Sequence, residues 1–273
     1  MSTAPQTLAS VQAILQERQL DALIVSQPDN RRYLSSYTVP DHGIQESSGY
    51  LLIPQEGQPW LLTDSRFTLQ AEAEAKGFRL HVYRRGLLEA LEALLPQLTV
   101  QSLGFEADYF LYSTHARLME LAEKLTLQLV ATTNLVEDLR VVKTAEELEL
   151  IRKSSSLNDQ VFQRVYAQVA PGQSEREIAR LIENTMLELG AERPSFDTIV
   201  AFGENAAKPH AVPGERRLKP GETVLIDMGL VLNGYCSDMS RTFVLGEPDA
   251  LFIERLRLVR AAQQAAIAAI RAG

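Results

Sequence analysis

The sequence contains very little cysteine, since Cys236 is the single one among 273 residues. One cysteine cannot form an internal disulfide, and it cannot supply a zinc site that is built from several thiolates. Such low cysteine use is typical of proteins that work in a reducing compartment. The composition therefore predicts a cytoplasmic protein without covalent cross-links.

The chain also lacks an excess of positive charge. It has 27 basic and 35 acidic residues, a formal net charge of −8, and no run of Lys and Arg. Binding to nucleic acid or to an anionic membrane depends on clustered basic residues. No apolar stretch approaches the ~18 residues of a membrane span, and the opening MSTAPQTLAS does not resemble a secretion signal. We therefore expect neither nucleic acid nor a membrane as a partner.

Strand-like and helix-like patterns alternate in the first half of the chain. Ala22–Val25 predicts a strand, and the turn signal Pro28–Asn30 predicts a loop after it. GYLLIP and PWLLTD predict a hairpin, GLLEALEALLPQL an amphipathic helix and SLGFE a further strand. This alternation predicts an α/β domain over residues 1–134, with helices flanking a mixed sheet.

A second domain is predicted over residues 135–273. Two capping boxes, Thr144-Ala-Glu-Glu147 and Ser174-Glu-Arg-Glu177, each begin a long helical pattern. The strand patterns DTIVAF, TVLIDMG and SRTFVL follow, separated by loops rich in Gly, Asn and Pro. Long helices followed by antiparallel strands are typical of an α+β domain.

The segment TVLIDMGLVLNGYCSDMSRT has the pattern of a β-hairpin. Asn233-Gly234 between apolar runs is the strongest short-range signal for a two-residue type I′ turn. A turn at this position places Asp227 opposite Ser240 and Asp238 opposite Gly229. Residues two apart in a strand share a face, so both aspartates lie on one face as diagonal neighbours, with Cα atoms roughly 7–8 Å apart.

Two interpretations of this acidic pair are open. Carboxylates on one face suit Mn²⁺, Co²⁺ or Zn²⁺ in a two-metal site, and Gly229 opposite Asp238 would leave space for the ions. Alternatively, Arg241 neutralises one acid and solvent hydrates the other. On two aspartates alone the second interpretation is favoured, because a metal site needs three or more protein ligands.

His210 and Cys236 are two further candidates. His210 lies in the loop FGENAAKPHAVPGE, where an imidazole is free to donate a proton, to bind a metal or to hydrogen-bond a substrate, although an exposed surface histidine is the plainer interpretation. Cys236 shares the hairpin face of Asp238. We expect it to be a small buried packing residue and not a thiolate ligand.

Long stretches of the chain resemble one protein family. SFDTIVAFGENAAKPHAVPGERRLKPGETVLIDMGLVLNGYCSDMSRTF resembles the pita-bread metallopeptidases of the aminopeptidase P and prolidase (Xaa-Pro peptidase) family, and LRVVKTAEELELIRKS resembles the entry into their catalytic domain. DALIVSQPDNRRYLSSY, WLLTDSRFTLQAEAE and LGFE resemble the creatinase-like N-terminal domain of the same family. The likeness covers nearly the whole chain.

The resemblance implies a function and a set of site residues. In this family two Asp, one His and two Glu bind two divalent ions, usually Mn²⁺, Co²⁺ or Zn²⁺, and an activated hydroxide attacks the carbonyl before a proline nitrogen. The two aspartates correspond to Asp227 and Asp238, and His210 corresponds to the active-site histidine that contacts the substrate. The resemblance implies proline-containing peptides as substrates and a homodimer.

The sequence departs from the family pattern after Asp238. No histidine follows it, and Glu247 and Glu254 come too soon to be the late glutamate ligands. We therefore expect a catalytic domain that is incomplete at its C-terminus, weak or no metal binding, and an inactive 273-residue chain. Two alternatives remain: a non-catalytic pita-bread module that binds peptides or proteins, and a metal-free creatinase-like hydrolase.

Overall fold

The chain forms two compact units. A computed structural model describes residues 4–272, and one unit extends to Val142 while the other begins at Lys143. The division lies beyond the predicted boundary between residues 134 and 135. Leu135 and Val136 are buried in the core of the first unit, which keeps the segment after them with that unit.

The first unit contains six strands and six α-helices within the described residues. In chain order these are α1 (Ala4–Glu17), β1 (Ala22–Val25), α2 (Pro28–Ser35), β2 (Tyr50–Pro54), β3 (Trp60–Asp64), α3 (Thr68–Glu74), β4 (Arg79–Tyr83), α4 (Leu87–Leu98), β5 (Ser102–Glu106), α5 (Tyr112–Leu125), β6 (Gln128–Thr132) and α6 (Glu137–Val141).

The strands of the first unit form one mixed sheet in the order β4-β3-β2-β1-β5-β6. β2 pairs with β1 and with β3 in antiparallel fashion, and the other neighbours are parallel. Leu23 and Val25 of the central strand pack into one core cluster, and Ala22 and Ile24 pack into another. Both faces of the sheet are therefore covered, as the continuous apolar pattern of β1 predicts.

The predicted loop at Pro28–Asn30 is wrong, because these residues form the first turn of α2. The side chain of Gln27 accepts a hydrogen bond from the backbone N–H of Asn30 and caps the helix. Proline favours the first helical turn as well as loops, since its fixed φ suits a helix and its missing N–H would have no helical partner there. The Pro-Asp pair therefore begins a helix here.

The second unit contains the elements that carry the candidate site. In chain order these are α7 (Ala145–Tyr166), α8 (Glu175–Glu188), β7 (Arg193–Pro194), β8 (Ile199–Phe202), β9 (Thr223–Met228), β10 (Leu230–Leu232), β11 (Tyr235–Cys236), β12 (Met239–Val244) and α9 (Ala250–Ala269).

Both predicted capping boxes begin helices of the second unit. Thr144 caps α7 and Ser174 caps α8, and in each case the carboxylate of the glutamate three residues later accepts a hydrogen bond from the backbone N–H of the cap. Inward-facing apolar residues of α7 and α8 pack against one face of the strands and form the core of this unit. The α+β prediction is confirmed.

Candidate metal centre

The predicted hairpin register is confirmed. β9 and β12 pair in antiparallel fashion with Asp227 opposite Ser240, and β10 pairs with β11. Asn233 and Gly234 have φ angles of +51° and +82°, which match the two left-handed central residues of a type I′ turn. The turn chemistry and the register therefore agree along the hairpin.

The register is held by burial of the other face. Val224, Ile226 and Met228 are fully buried in the core. From α7, the side-chain N–H of Asn158 donates to the carbonyl of Met228 at 3.2 Å. A slip by one residue would move these apolar side chains into solvent, so the packing keeps Asp227 on the opposite face.

Gly229 interrupts the hairpin, and the space beside it is filled. The N–H of Ser195 donates to the carbonyl of Gly229 at 2.9 Å, and its hydroxyl donates to the carbonyl of Ser237 at 2.9 Å. A Cβ atom added at Gly229 would lie 2.2 Å from the Ser237 oxygen. The prediction of open space at Gly229 is wrong, because Ser195, which follows β7, occupies it.

The two carboxylates lie in different local surroundings. Asp227 is half-buried, and its Oδ1 accepts a hydrogen bond from the Ser240 hydroxyl at 2.7 Å. Asp238 is exposed at the point where the hairpin is interrupted. Among residues 4–272, neither carboxylate forms an ion pair, and Arg241 approaches Asp159 instead, at 3.8 Å. The interpretation in which Arg241 neutralises one of the pair is therefore wrong.

The His210 loop, residues 203–213, packs on the sheet face that carries Asp227. Ile199 of β8 lies directly opposite Asp227, so their side chains share a face. Ala206 and Ala211 of the loop pack in a small apolar cluster that contains Ile199. His210 itself is exposed and has no hydrogen-bond partner within the described part of the chain. The fold therefore places the loop on the sheet face of Asp227. The His210 imidazole itself makes no hydrogen bond there within the described residues.

Cys236 is exposed, so the prediction that it packs in the interior is wrong. It lies on β11 opposite Val231, which is buried. Alternation along the strand identifies which residues share a face, but it does not say which face is covered.

A complete ligand set is absent from the part of the chain that the structure describes. No group of three or more His, Cys, Asp and Glu side chains is arranged there to bind a metal ion. Asp227 and Asp238 therefore do not form such a group with a third side chain within residues 4–272. In the same part of the chain, no helix combines the length and the apolar character that a membrane crossing requires.

Sequence reasoning missed Ser195 and Glu175. Ser195 is the first residue of the stretch that resembles the family, but nothing local marks its role, since its contacts are with residues more than 30 positions away. Glu175 lies within the second capping box, where the pattern draws attention to Ser174 and Glu177. The sole signal in the sequence was an acidic residue in the first helical turn, which is common and not specific.

This two-domain architecture, with an acidic hairpin in the second domain, defines a class of hydrolases that join a creatinase-like domain to a pita-bread domain. Residues 8–142 match the creatinase/prolidase N-terminal domain, and residues 149–273 match metallopeptidase family M24. The chain belongs to metallopeptidase family M24. The predicted family and the predicted fold class are thereby confirmed.

Relatives with sequence and structural similarity cover almost the whole chain. An uncharacterized peptidase of Staphylococcus aureus (strain bovine RF122 / ET3-1) is 34% identical over 260 residues, which are 95% of this chain and 72% of the relative. The structure of a Xaa-Pro dipeptidase from Bacillus anthracis matches with a TM-score of 0.88 and 31% identity, over 99% of this chain and 73% of that one. A prolidase from Pyrococcus horikoshii matches with a TM-score of 0.82 and 27% identity, over 96% and 71% of the two chains.

Proposed function

We propose that this protein is a metal-dependent exopeptidase that cleaves Xaa-Pro bonds, with Asp227 and Asp238 as metal ligands and His210 as the residue that contacts the substrate. One observation carries the proposal. The Asp227 carboxylate has no cationic partner within residues 4–272, and the His210 loop packs on the sheet face that carries it. The proposal puts the exposed Asp238 on that face as well. The similarity to a Xaa-Pro dipeptidase and to a prolidase supports proline-containing peptides as substrates.

Asp227 and Asp238 are suitable as two of the ligands of a divalent cation. Carboxylate oxygens suit Mn²⁺, Co²⁺ and Zn²⁺, and neither aspartate is neutralised by a basic side chain within residues 4–272. Two bound ions would supply Lewis-acid activation of water and of the scissile carbonyl. In this proposal, binding of both ions requires the complete set of ligands, and the hairpin supplies two of them.

The chain's own residues have distinct roles in this proposal. The Ser240 hydroxyl orients one oxygen of Asp227, which leaves the other oxygen of that carboxylate for a metal ion. His210 is exposed on its loop, so its imidazole is accessible for hydrogen bonding to a peptide carbonyl or for proton donation. The homodimer that the resemblance implies, and the cytoplasmic location, remain part of the proposal.

We expect the 273-residue chain to bind Mn²⁺ weakly and to be inactive. Stable metal sites in proteins use three or more protein ligands, and no group of three or more candidate side chains is arranged for a metal ion within residues 4–272. The test is binding of Mn²⁺, followed by electron paramagnetic resonance, to the unmodified chain and to Asp227→Asn and Asp238→Asn. Asp249→Asn is the matched control, because Asp249 caps α9 and this substitution removes the same charge at a distant place in the sequence.

The expected result is that both hairpin variants weaken Mn²⁺ binding while Asp249→Asn does not. Equal binding by all four proteins would show that the hairpin is not the metal site. Release of the residue before proline is measured in parallel, with enzyme and peptide at equal concentrations. Turnover without added metal would favour the creatinase-like alternative, and binding of proline peptides independent of Mn²⁺ would favour the binding module.

A further inference from the structure

The His210 loop is tied at both of its ends by one buried carboxylate. Glu175 is the first residue of α8, and its side chain is fully buried. It accepts hydrogen bonds from the backbone N–H of Phe202 at 2.9 Å, just before the loop, and of Gly214 at 3.0 Å, just after it. Residues that are twelve positions apart are thus joined through a single side chain.

The same carboxylate also contacts the interior of the loop. The side-chain amide of Asn205 lies 3.0 Å from each oxygen of Glu175. The amide nitrogen is the donor in these contacts, and the amide oxygen, Oδ1, accepts a hydrogen bond from the Lys208 ammonium at 2.6 Å, two residues before His210. A chain of contacts therefore leads from the buried carboxylate to the segment that presents the imidazole.

The backbone of α8 adds contacts at the far end of the loop. The N–H of Glu175 donates to the carbonyl of Arg216, and the N–H of Arg176 donates to the carbonyl of Gly214, each at 3.1 Å. These two N–H groups belong to the first helical turn, which has no partners within the helix. The helix start and the loop end are consequently one hydrogen-bonded unit.

A buried carboxylate that joins the two ends of a loop destabilises the fold unless all of its hydrogen-bond partners are in place. Its burial is favourable here because three donor groups surround it and because it lies at the positive end of a helix. Any neutral replacement leaves at least one of these buried donors without an acceptor. The arrangement therefore selects one conformation of the loop.

We propose that Glu175 is a positioning residue that holds the His210 loop against the sheet face of Asp227, an inference that rests on the proposed role of His210. The loop reaches that face through Ala206 and Ala211, which pack beside Ile199. Glu175 sets the two points from which the loop leaves the fold. Its side-chain contacts are with the loop and its two ends, so it acts on the site through the loop.

The test compares Glu175→Gln with the unmodified 273-residue chain. Hydrogen exchange of assigned backbone amides is expected to accelerate about tenfold or more at Phe202, at Gly214 and through the His210 loop, because the amide group cannot accept from all three donors. Exchange in β9 and β12 is expected to stay unchanged. In the second measurement, Mn²⁺ is added below stoichiometry, and broadening of the His210 ring signals is expected in the unmodified chain and is expected to be lost in the variant.

Glu177→Gln is the matched control. It removes an equal charge from the same helical turn, but Glu177 is partly exposed and contacts the backbone of Ser174 and the Arg217 side chain instead of the His210 loop. Its loop exchange and its Mn²⁺ broadening at His210 are expected to equal those of the unmodified chain. If Glu175 served solely as a favourable charge at the helix start, the two variants would behave alike, and the proposal would be overturned.

The remaining outcomes are also decisive. Unchanged exchange in the loop of Glu175→Gln, or an acceleration spread evenly over the second unit, overturns the proposal. If Glu175→Gln does not fold, Asn205→Ala replaces it, because this change keeps both backbone ties and is expected to accelerate exchange in the middle of the loop alone. If Mn²⁺ leaves His210 unaffected in the unmodified chain, the proposed function fails, while hydrogen exchange still decides the role of Glu175.

Discussion

Asp227 and Ser240 face each other across β9 and β12, and the serine hydroxyl donates to the aspartate Oδ1 at 2.7 Å. This hydrogen bond fixes one oxygen of a carboxylate that has no cationic partner within residues 4–272. A residue that orients a ligand in this way affects metal binding without touching the metal.

Ser240→Ala is expected to weaken Mn²⁺ binding by about tenfold, because the carboxylate of Asp227 loses its orienting partner. Ser240→Thr keeps a hydroxyl at the same position and is expected to bind Mn²⁺ like the unmodified chain. Both affinities are measured by titration followed by electron paramagnetic resonance. Equal loss in the alanine and threonine variants would contradict a role for the hydroxyl.

Gly229→Ala is expected to destabilise the second unit by about 1–3 kcal/mol or more, because the new Cβ would lie 2.2 Å from the backbone oxygen of Ser237. A backbone atom in a paired hairpin cannot move aside cheaply. Gly214→Ala is the control, since its Cβ would meet the nearest side-chain atom at an ordinary 3.5 Å. Urea unfolding of the three proteins measures the difference, and equal midpoints would contradict the close packing at Gly229.

Asn158→Ala is expected to cost about 1–3 kcal/mol of stability, because the buried carbonyl of Met228 loses its donor from α7. The change is also expected to accelerate hydrogen exchange in β9, next to Asp227. Asp159→Ala alters the exposed neighbour on the same helix and is expected to change stability by about 0.5 kcal/mol or less. The idea fails if the exposed and the buried substitution have equal effects.

Arg66→Ala is expected to raise the pKa of Asp64 toward its ordinary value of 3.8, because hydrogen bonds from the Arg66 guanidinium hold that pKa below it. A lowered folded pKa stabilises the fold above the ordinary pKa, and this contribution disappears as the pH falls through the folded pKa. The variant should therefore lose less stability in acid through this group. The carboxyl chemical shift of Asp64, followed against pH, measures its pKa in the unmodified chain and in the variant.

Lys124→Ala provides the control for the Asp64 measurement. Lys124 forms the comparable pair with Glu92, whose pKa it lowers, and it does not contact Asp64. In this variant the pKa of Glu92 is expected to rise while that of Asp64 stays in place. A shift of Asp64 in both variants would mean that overall charge, and not the Arg66 contact, determines its pKa.

Much of the hairpin could be predicted because its signals are local. The Asn-Gly turn and the alternation of apolar residues determine which residues oppose one another, and Asp227 falls opposite Ser240 as expected. The open space at Gly229 and the burial of Cys236 could not be predicted in the same way. Each depends on whether another segment covers that part of the strand, and the alternation of apolar residues does not predict this.

The same limit explains the domain boundary and the start of α2. Leu135 and Val136 have no special pattern, and their burial in the first core places the division of the chain after them. Pro28 suits a loop and a first helical turn equally well, and the cap from Gln27 decides in favour of the helix. Where local chemistry allows two structures, the neighbouring contacts choose between them.

The sequence by itself determined the capped helices and the position of Asp227 opposite Ser240, because turn, cap and alternation signals act over a few residues, and its long stretches of similarity identified the family. Only the tertiary structure decided that Ser195 fills the space at Gly229 and that Glu175 ties both ends of the His210 loop. Those contacts join residues 27 to 42 positions apart. Their formation depends on the packing of whole elements, which no short stretch of sequence encodes.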